Sequence, residues 1–296
     1  MLLSIDDVSL QQRMTEQLAM NAAQHRGHVE AREPIVLVHG MAGFRPLGTW
    51  YEYFYQVMRR VTADGYSIFA AQTDPFQTID YRARQLAVQV DAVLQATGAA
   101  RVHLVAHSQG GLDARYLIST LGYGDRVATL VTVGTPHHGV RAVDVALRLL
   151  PKPVARSLTS IVNALGNALL GGRADLMAQL GDVSEDFVQR RFNPNNPDDP
   201  RVRYYAYSGI TQVSAWVHPK RVDVVNPGLL PTYELITLTD GDNDGIVGTD
   251  SARWGIPLGV LAADHWDEIG QIPGTPHLAF QHLDFYRRLA RFLNGA

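Results

Sequence analysis

The first residue in this chain placed to do chemistry is a serine between a strand and a helix. Ala106-His107-Ser108-Gln109-Gly110 follows the apolar run Val102 to Ala106 and precedes Leu112 to Leu121, which has helical spacing. A sharp strand-to-helix turn lifts such a serine Oγ off the sheet edge and beside a helix N-terminus. The turn crowds the positions two before and two after the serine, and Ala106 and Gly110 are both small. A serine that merely caps a helix is the bland alternative, and the flanking elements favour the elbow. A nucleophilic serine needs a histidine to take its proton, an acid to orient that histidine, and donors for the oxyanion. His39-Gly40-Met41-Ala42-Gly43 lies upstream, where the Met41 N–H would pair with the Gln109 N–H as oxyanion donors. Downstream, Asp240, Asp242 and Asp244 share one short loop, and eleven histidines are spread along the chain.

The elements that must position these residues alternate. Pro34 to Val38, Tyr66 to Ala71, Val102 to Ala106 and Val127 to Val133 are short β-branched or apolar runs, as strands buried on both faces are. Thr78 to Gly98 carries Ala83, Leu86, Val90, Val93 and Leu94 at helical spacing, with Gly98 as the stop. Strand–helix alternation implies an α/β class, a mostly parallel sheet with helices on both faces. Arg203 to Ser208 and Glu234 to Leu238 read as later strands, Asn193 to Pro200 as a turn-rich loop, and Phe280 to Leu293 as a closing helix. Residues 1–33 form an N-terminal extension ahead of a hydrolase-like domain at 34–296. Within that domain, about 143–172 is an apolar helical insertion suited to a lid. The Ser157 to Gly172 stretch lacks charge and places Leu158, Ile161, Val162, Leu165 and Leu169 on one face.

A serine elbow on such a sheet is the mark of the α/β-hydrolase fold, whose chain order is serine, acid, histidine. Asp240, Asp242, Asp244 and Gly245 imitate half of a calcium loop, but its twelfth place is Ser251 where a bidentate Glu belongs. Asp244 is the better triad acid, because it abuts Gly245-Ile246-Val247 where the loop turns back to the protein body. His265, in Asp264-His265-Trp266-Asp267, comes 21 residues later. His39 and His107 precede the acid, His277 and His282 flank the closing helix, and His137 and His138 follow a strand end where they would line the cleft.

Five segments in order then resemble the true bacterial lipases of lipase family I. They are Pro34 to Phe44, Val105 to Tyr116, Val133 to Gly139, Asn243 to Gly248, and His265-Trp266-Asp267-Glu268. The resemblance implies triacylglycerol lipase activity on water-insoluble esters, a helical lid and a structural calcium ion near the histidine. It implies further that Asp267 and the upstream Asp223 hold the ion, together with backbone carbonyls of Gln271 and Thr275. Calcium accepts such a mixed carboxylate and carbonyl set. Ala106 stands where the family has Gly, and the chain has no Cys for the disulfide some members carry near Asp250.

Composition narrows the rest. The chain has 296 residues, 46% of them hydrophobic, and a formal net charge of -3, with no basic excess, which argues against nucleic-acid binding. The absence of Cys excludes disulfides and thiolate metal sites. Asp6 and Asp7 stand where a signal peptide carries basic and then apolar residues, so no signal peptide is visible and localisation stays open between secreted and cytoplasmic. No apolar run reaches the ~20 residues of a membrane span, so the expected partners are a lipid or ester substrate and a lipid–water interface. Three rivals remain: a carboxylesterase for soluble short-chain esters, an acyltransferase or polyester depolymerase, and a binding protein on a retained hydrolase fold.

Overall fold

The computed structural model describes residues 33–41, 52–149, 175–213, 223–271 and 280–295. Six strands form one sheet: β1 (Ile35–Val38), β2 (Ile68–Ala70), β3 (Val102–His107), β4 (Val127–Val133), β5 (Arg203–Ile210) and β6 (Ile256–Ala262). Their order is β2-β1-β3-β4-β5-β6, and every neighbouring pair is parallel. The helices used below are α1 (Val57–Ala63), α2 (Ile79–Thr97), α3 (Gly110–Ser119), α4 (Arg141–Leu149), α5 (Leu176–Asp182), α6 (Leu230–Thr239) and α7 (His282–Leu293).

The near-continuous apolar character of the early strands follows from burial on both faces. On β1, Val36 and Val38 join a cluster with Leu86, Val90, Leu104, Ala114 and Leu117 beneath α2 and α3. Ile35 and Leu37 face the other way, against Val57, Val61, Phe285, Tyr286 and Leu289 of α1 and α7. A period-2 side-chain alternation with apolar residues at every position can only serve a sheet covered twice.

From β1 the chain moves outward to β2, then α2 carries it back across to β3 on the other side of β1. Strand order therefore reverses between β1 and β3, where Val38 pairs with Ala106. In open α/β sheets the crevice at the carboxyl ends of such a reversal is where ligands bind. Both the loop at His39 and the turn at Ser108 open there.

Two expectations from the sequence are corrected. Glu234 to Leu238 lies in helix α6, not in a strand. Its β-branched residues suggested a strand, but packing overrides propensity. Ile236 is buried with Val140, Ala142, Val247 and Ala252, and the Thr237 and Thr239 hydroxyls donate back to the carbonyls of Tyr233 and Leu235. Conversely, β6 has no counterpart in the sequence reading, because Pro257 and Gly259 interrupt it. Proline is tolerated there because β6 lies at the sheet edge, and a register shift opposite Ala206 and Tyr207 absorbs the irregularity. Of the lid expected at 143–172, the part up to Leu149 belongs to α4, and the remainder lies outside the described residues, as do residues 1–32.

Candidate active site

Ser108 stands just before Gln109, the N-cap of α3, and has φ +56°, a left-handed conformation rare for a side-chain-bearing residue. Its N–H donates to Val133 O at 3.0 Å, and its carbonyl accepts from Gly111 N–H at 3.1 Å and from the Thr135 hydroxyl at 2.7 Å. Strain of this kind persists only where the surroundings over-determine it. The space around the turn is equally restricted. A Cβ on Gly40 would lie 2.5 Å from Ser108 Cβ and 2.9 Å from its Oγ, and one on Gly110 would lie 2.6 Å from His39 O. Ala106, two residues before the serine, is fully buried in the core, so its methyl fits where the lipases carry Gly.

The acid and the histidine meet from loops beyond β5 and β6. Asp244 is fully buried. Its Oδ1 accepts from the N–H groups of Ile246 at 2.8 Å and Val247 at 2.7 Å, and its Oδ2 lies 2.8 Å from His265 Nδ1. The His265 N–H also donates to Asp244 O at 2.8 Å, so the two loops are joined twice. Asp242 is exposed, and Asp240 reaches Thr239 and the N–H of Arg141. The three acids of the loop thus point to different neighbours, as a calcium loop would not have them.

Met41 sits in the turn directly after His39 and Gly40, and Gln109 is buried beside Ser108. The turn is anchored from below by Arg82, which donates to His39 O at 2.7 Å, Gly40 O at 3.2 Å and Asp74 O at 2.7 Å. Arg82 is fully buried and paired with Asp113 at 2.7 Å. Burial raises the Asp113 carboxyl to about 7 against the opposing pull of Arg82. His39 is held neutral, lowered to about 3 by burial and by Arg82. Its Nε2 accepts from Thr73 N–H at 3.0 Å, so Nδ1 carries the proton toward Gly40 O at 2.8 Å. The sequence offered one signal for Arg82: an arginine on the same helical stripe as Ala83, Leu86 and Val90, where a charge is found only when paired.

A second buried acid accompanies the pair. Glu268 Oε2 lies 2.9 Å from His107 Nε2 and 3.8 Å from His265 Nδ1. Burial, followed by the charge of Asp244, pushes its carboxyl well above the usual range. His107 in turn lies 2.7 Å from the Tyr53 hydroxyl, which accepts from Gly40 N–H at 3.1 Å. A hydrogen-bonded path thus runs from the histidine loop to the turn after β1. Nothing in the spacing of Glu268 or Tyr53 marks them, because their partners lie far off in sequence.

Of the residues expected near an ion, Asp223 and Asp267 come together, joined by Asp264; carboxylate oxygens of all three lie within 4.8 Å of one another. All three are buried. Burial, then Asp264 and Asp223, raises the Asp267 carboxyl to about 9. Asp264 was not expected here. Its Oδ1 caps the N–H groups of Trp266 and Asp267, and its Oδ2 accepts from the N–H and side-chain amide of Asn226. Gln271 closes the same turn through its N–H to Trp266 O, and Thr275 lies outside the described residues. The expectation that His137 lines the cleft is corrected: it is fully buried against Trp254, with its ring nitrogens near Thr132 Oγ1 and Arg115. A neutral imidazole at the end of a strand packs there as core.

A serine held out at an elbow, a histidine oriented by a buried carboxylate and a glycine turn facing the serine make an arrangement able to transfer acyl groups. Comparison with known proteins agrees. Residues 34–208 match the palmitoyl protein thioesterase family. A triacylglycerol lipase of Vibrio cholerae serotype O1 is 31% identical over 300 residues, covering 93% of this chain and 92% of that one. A triacylglycerol lipase of Pseudomonas fragi is 28% identical, covering 90% and 98%. The crystal structure of Staphylococcus hyicus lipase superposes with a TM-score of 0.70 over 91% of this chain and 98% of that one, at 16% identity, a likeness of fold. Full-length identity and family match together place the chain in the palmitoyl protein thioesterase and triacylglycerol lipase families of α/β hydrolases, and it is a carboxylic ester hydrolase.

Proposed function

We propose that the protein hydrolyses water-insoluble acylglycerols at a lipid–water interface through an acyl-enzyme on Ser108. The observation that carries this reading is the 2.8 Å contact between Asp244 Oδ2 and His265 Nδ1, in a chain whose Ser108 stands at φ +56°. In the proposed sequence His265 Nε2 takes the Ser108 proton as Oγ attacks the ester carbonyl. The N–H groups of Met41 and Gln109 hold the oxyanion, and the proton passes to the departing alcohol. Water then repeats the steps on the acyl-enzyme, and the fatty acid leaves. Asp244 keeps the histidine in the Nδ1–H tautomer and stabilises the imidazolium. Support for acylglycerols as substrate comes from the two relatives named triacylglycerol lipase. A chain-length series of p-nitrophenyl esters and emulsified triglycerides tests it. A rise in specific activity as a triglyceride passes its solubility limit is expected, and activity confined to dissolved short esters would return the reading to a carboxylesterase.

A second reading, favoured by the family match over residues 34–208, is hydrolysis of long-chain acyl thioesters at the same serine. Acyl-thioester turnover exceeding triglyceride turnover would establish it.

A calcium ion belongs to the same proposal. Asp223 and Asp267 would hold it, with the backbone carbonyls of Gln271 and Thr275. Three buried carboxyls this close must share protons or a cation, and a divalent cation bound by hard oxygens would neutralise them. Its chemistry there is structural: it would fix the loop that carries His265.

A further inference from the structure

The turn Gly134-Thr135-Pro136-His137-His138-Gly139 takes no part in the chemistry proposed above, yet it lies against Ser108 and Asp244. Gly134 adopts φ +54°, and a Cβ there would lie 2.3 Å from Glu268 Oε2 and 3.1 Å from Asp244 Oδ2. The next residue, Thr135, is fully buried and donates its hydroxyl to Ser108 O at 2.7 Å. A carbonyl and the following N–H share one rigid plane and point in opposite directions. The carbonyl of Ser108 is therefore the back side of the Gln109 N–H, the same group that faces the oxyanion in the proposed mechanism.

We infer that Thr135 is a positioning residue of the oxyanion hole. Its hydroxyl pins the Ser108–Gln109 peptide plane and so aims the Gln109 N–H. Three contacts converge on Ser108, directly after the end of β3. Ser108 N–H is tied to Val133 O, and Ser108 O is tied to Gly111 N–H and to Thr135. The Gly111 bond belongs to the first turn of α3, and the Thr135 bond adds a second hold on the same oxygen from β4's side. A hydrogen bond accepted at the carbonyl also polarises the peptide and strengthens its N–H as a donor. The closeness is built in: a Cβ on Gly111 would lie 2.3 Å from Thr135 Oγ1, so the helix carries glycine where the hydroxyl must pass.

An oxyanion donor acts on the transition state and not on the bound ester. This inference rests on Ser108 as the nucleophile. The test compares Thr135→Val, Thr135→Ser and Thr135→Ala with wild type. It measures kcat and KM on a soluble p-nitrophenyl ester, the inhibition constant of an alkylboronic acid that forms a tetrahedral adduct, and the melting temperature. Val keeps the shape and loses the hydroxyl, so kcat should fall about tenfold or more and boronate affinity should fall in step. KM should hold, a smaller loss than the roughly 10²–10³ for deleting a donor outright. Ser loses the methyl and keeps the hydroxyl, so it should melt lower yet turn over near the wild-type rate. Ser and Ala lose the same methyl, so their comparison decides the matter even if Val does not fold. Equal kcat for Ser and Ala, or a Val variant with wild-type kcat, would overturn the inference. Ser108→Ala is run alongside. If it retains turnover, the nucleophile reading falls and the Thr135 inference with it. If it is inactive while Thr135→Val is unimpaired, the Thr135 inference alone falls.

Discussion

The two halves of the site are held by different physics. On the side of β1, β3 and α3, the serine turn and the turn after His39 are fixed by backbone. Glycines lie where any Cβ would meet an atom within 3 Å, main-chain hydrogen bonds hold the turn, and one arginine grips two carbonyls. On the side of β5 and β6, the loops are held by carboxyl groups: Asp244, Asp264, Asp267, Asp223 and Glu268 are all buried, each near in space to His265 or to another of the five. The first half is specified by shape and leaves no room. The second is specified by charge and depends on what neutralises it.

Substitutions in each half test this contrast. The largest effect should come from Ser108→Ala, which removes one oxygen from the shape-defined half and should cost about 10⁴-fold or more in turnover with the fold intact. Retention of a tenth of wild-type rate on a short p-nitrophenyl ester would refute it. Asp244→Asn should follow closely, with a loss approaching 10⁴-fold from the wrong histidine tautomer. Asp242→Asn should be nearly silent, and the reverse result would move the acid along the loop. Gly40→Ala should cost on the order of 10²-fold in kcat, since the added methyl must displace Ser108. Unchanged kinetics would show the turn to be looser than drawn. Arg82→Met leaves Asp113 buried without its partner and should cost about 3–5 kcal/mol in a urea titration. Near-wild-type stability would mean that the raised Asp113 carboxyl simply stays protonated. The smallest effect is expected from chelation. Removing a cation bound only by the folded state should lower the melting temperature by several degrees, as about 2–3 kcal/mol of linkage implies. Asp267→Ala should mimic it, and a melting curve indifferent to EDTA would leave the carboxylates to share protons instead.

How much could be read from residues alone divides along the same line. The serine turn, the glycine turn before it and the strands that carry them were legible, because local shape demands small residues at fixed spacing. Chain order singled out Asp244 and His265, and the two side chains are in contact. Arg82, Tyr53, Thr135, Asp264 and Glu268 were not assigned roles, because each acts on a partner brought near only by the completed sheet. Thr135 reaches back 27 residues to Ser108, and Glu268 reaches back 161 to His107. β6 was missed, and α6 mistaken for a strand, because a proline at a sheet edge and β-branched residues on a half-buried helix both contradict average propensity.

The irregular β6 also bears on how the molecule meets copies of itself. An exposed sheet edge invites a foreign strand to add to it, and apolar residues such as Ile256 and Val260 at this edge are both about half exposed. Pro257 cannot donate to an incoming chain, and the irregular register at that point twists the hydrogen-bonding row out of line. The opposite edge, β2, offers only Ile68–Ala70. The two margins of the sheet are thus poor templates for aggregation.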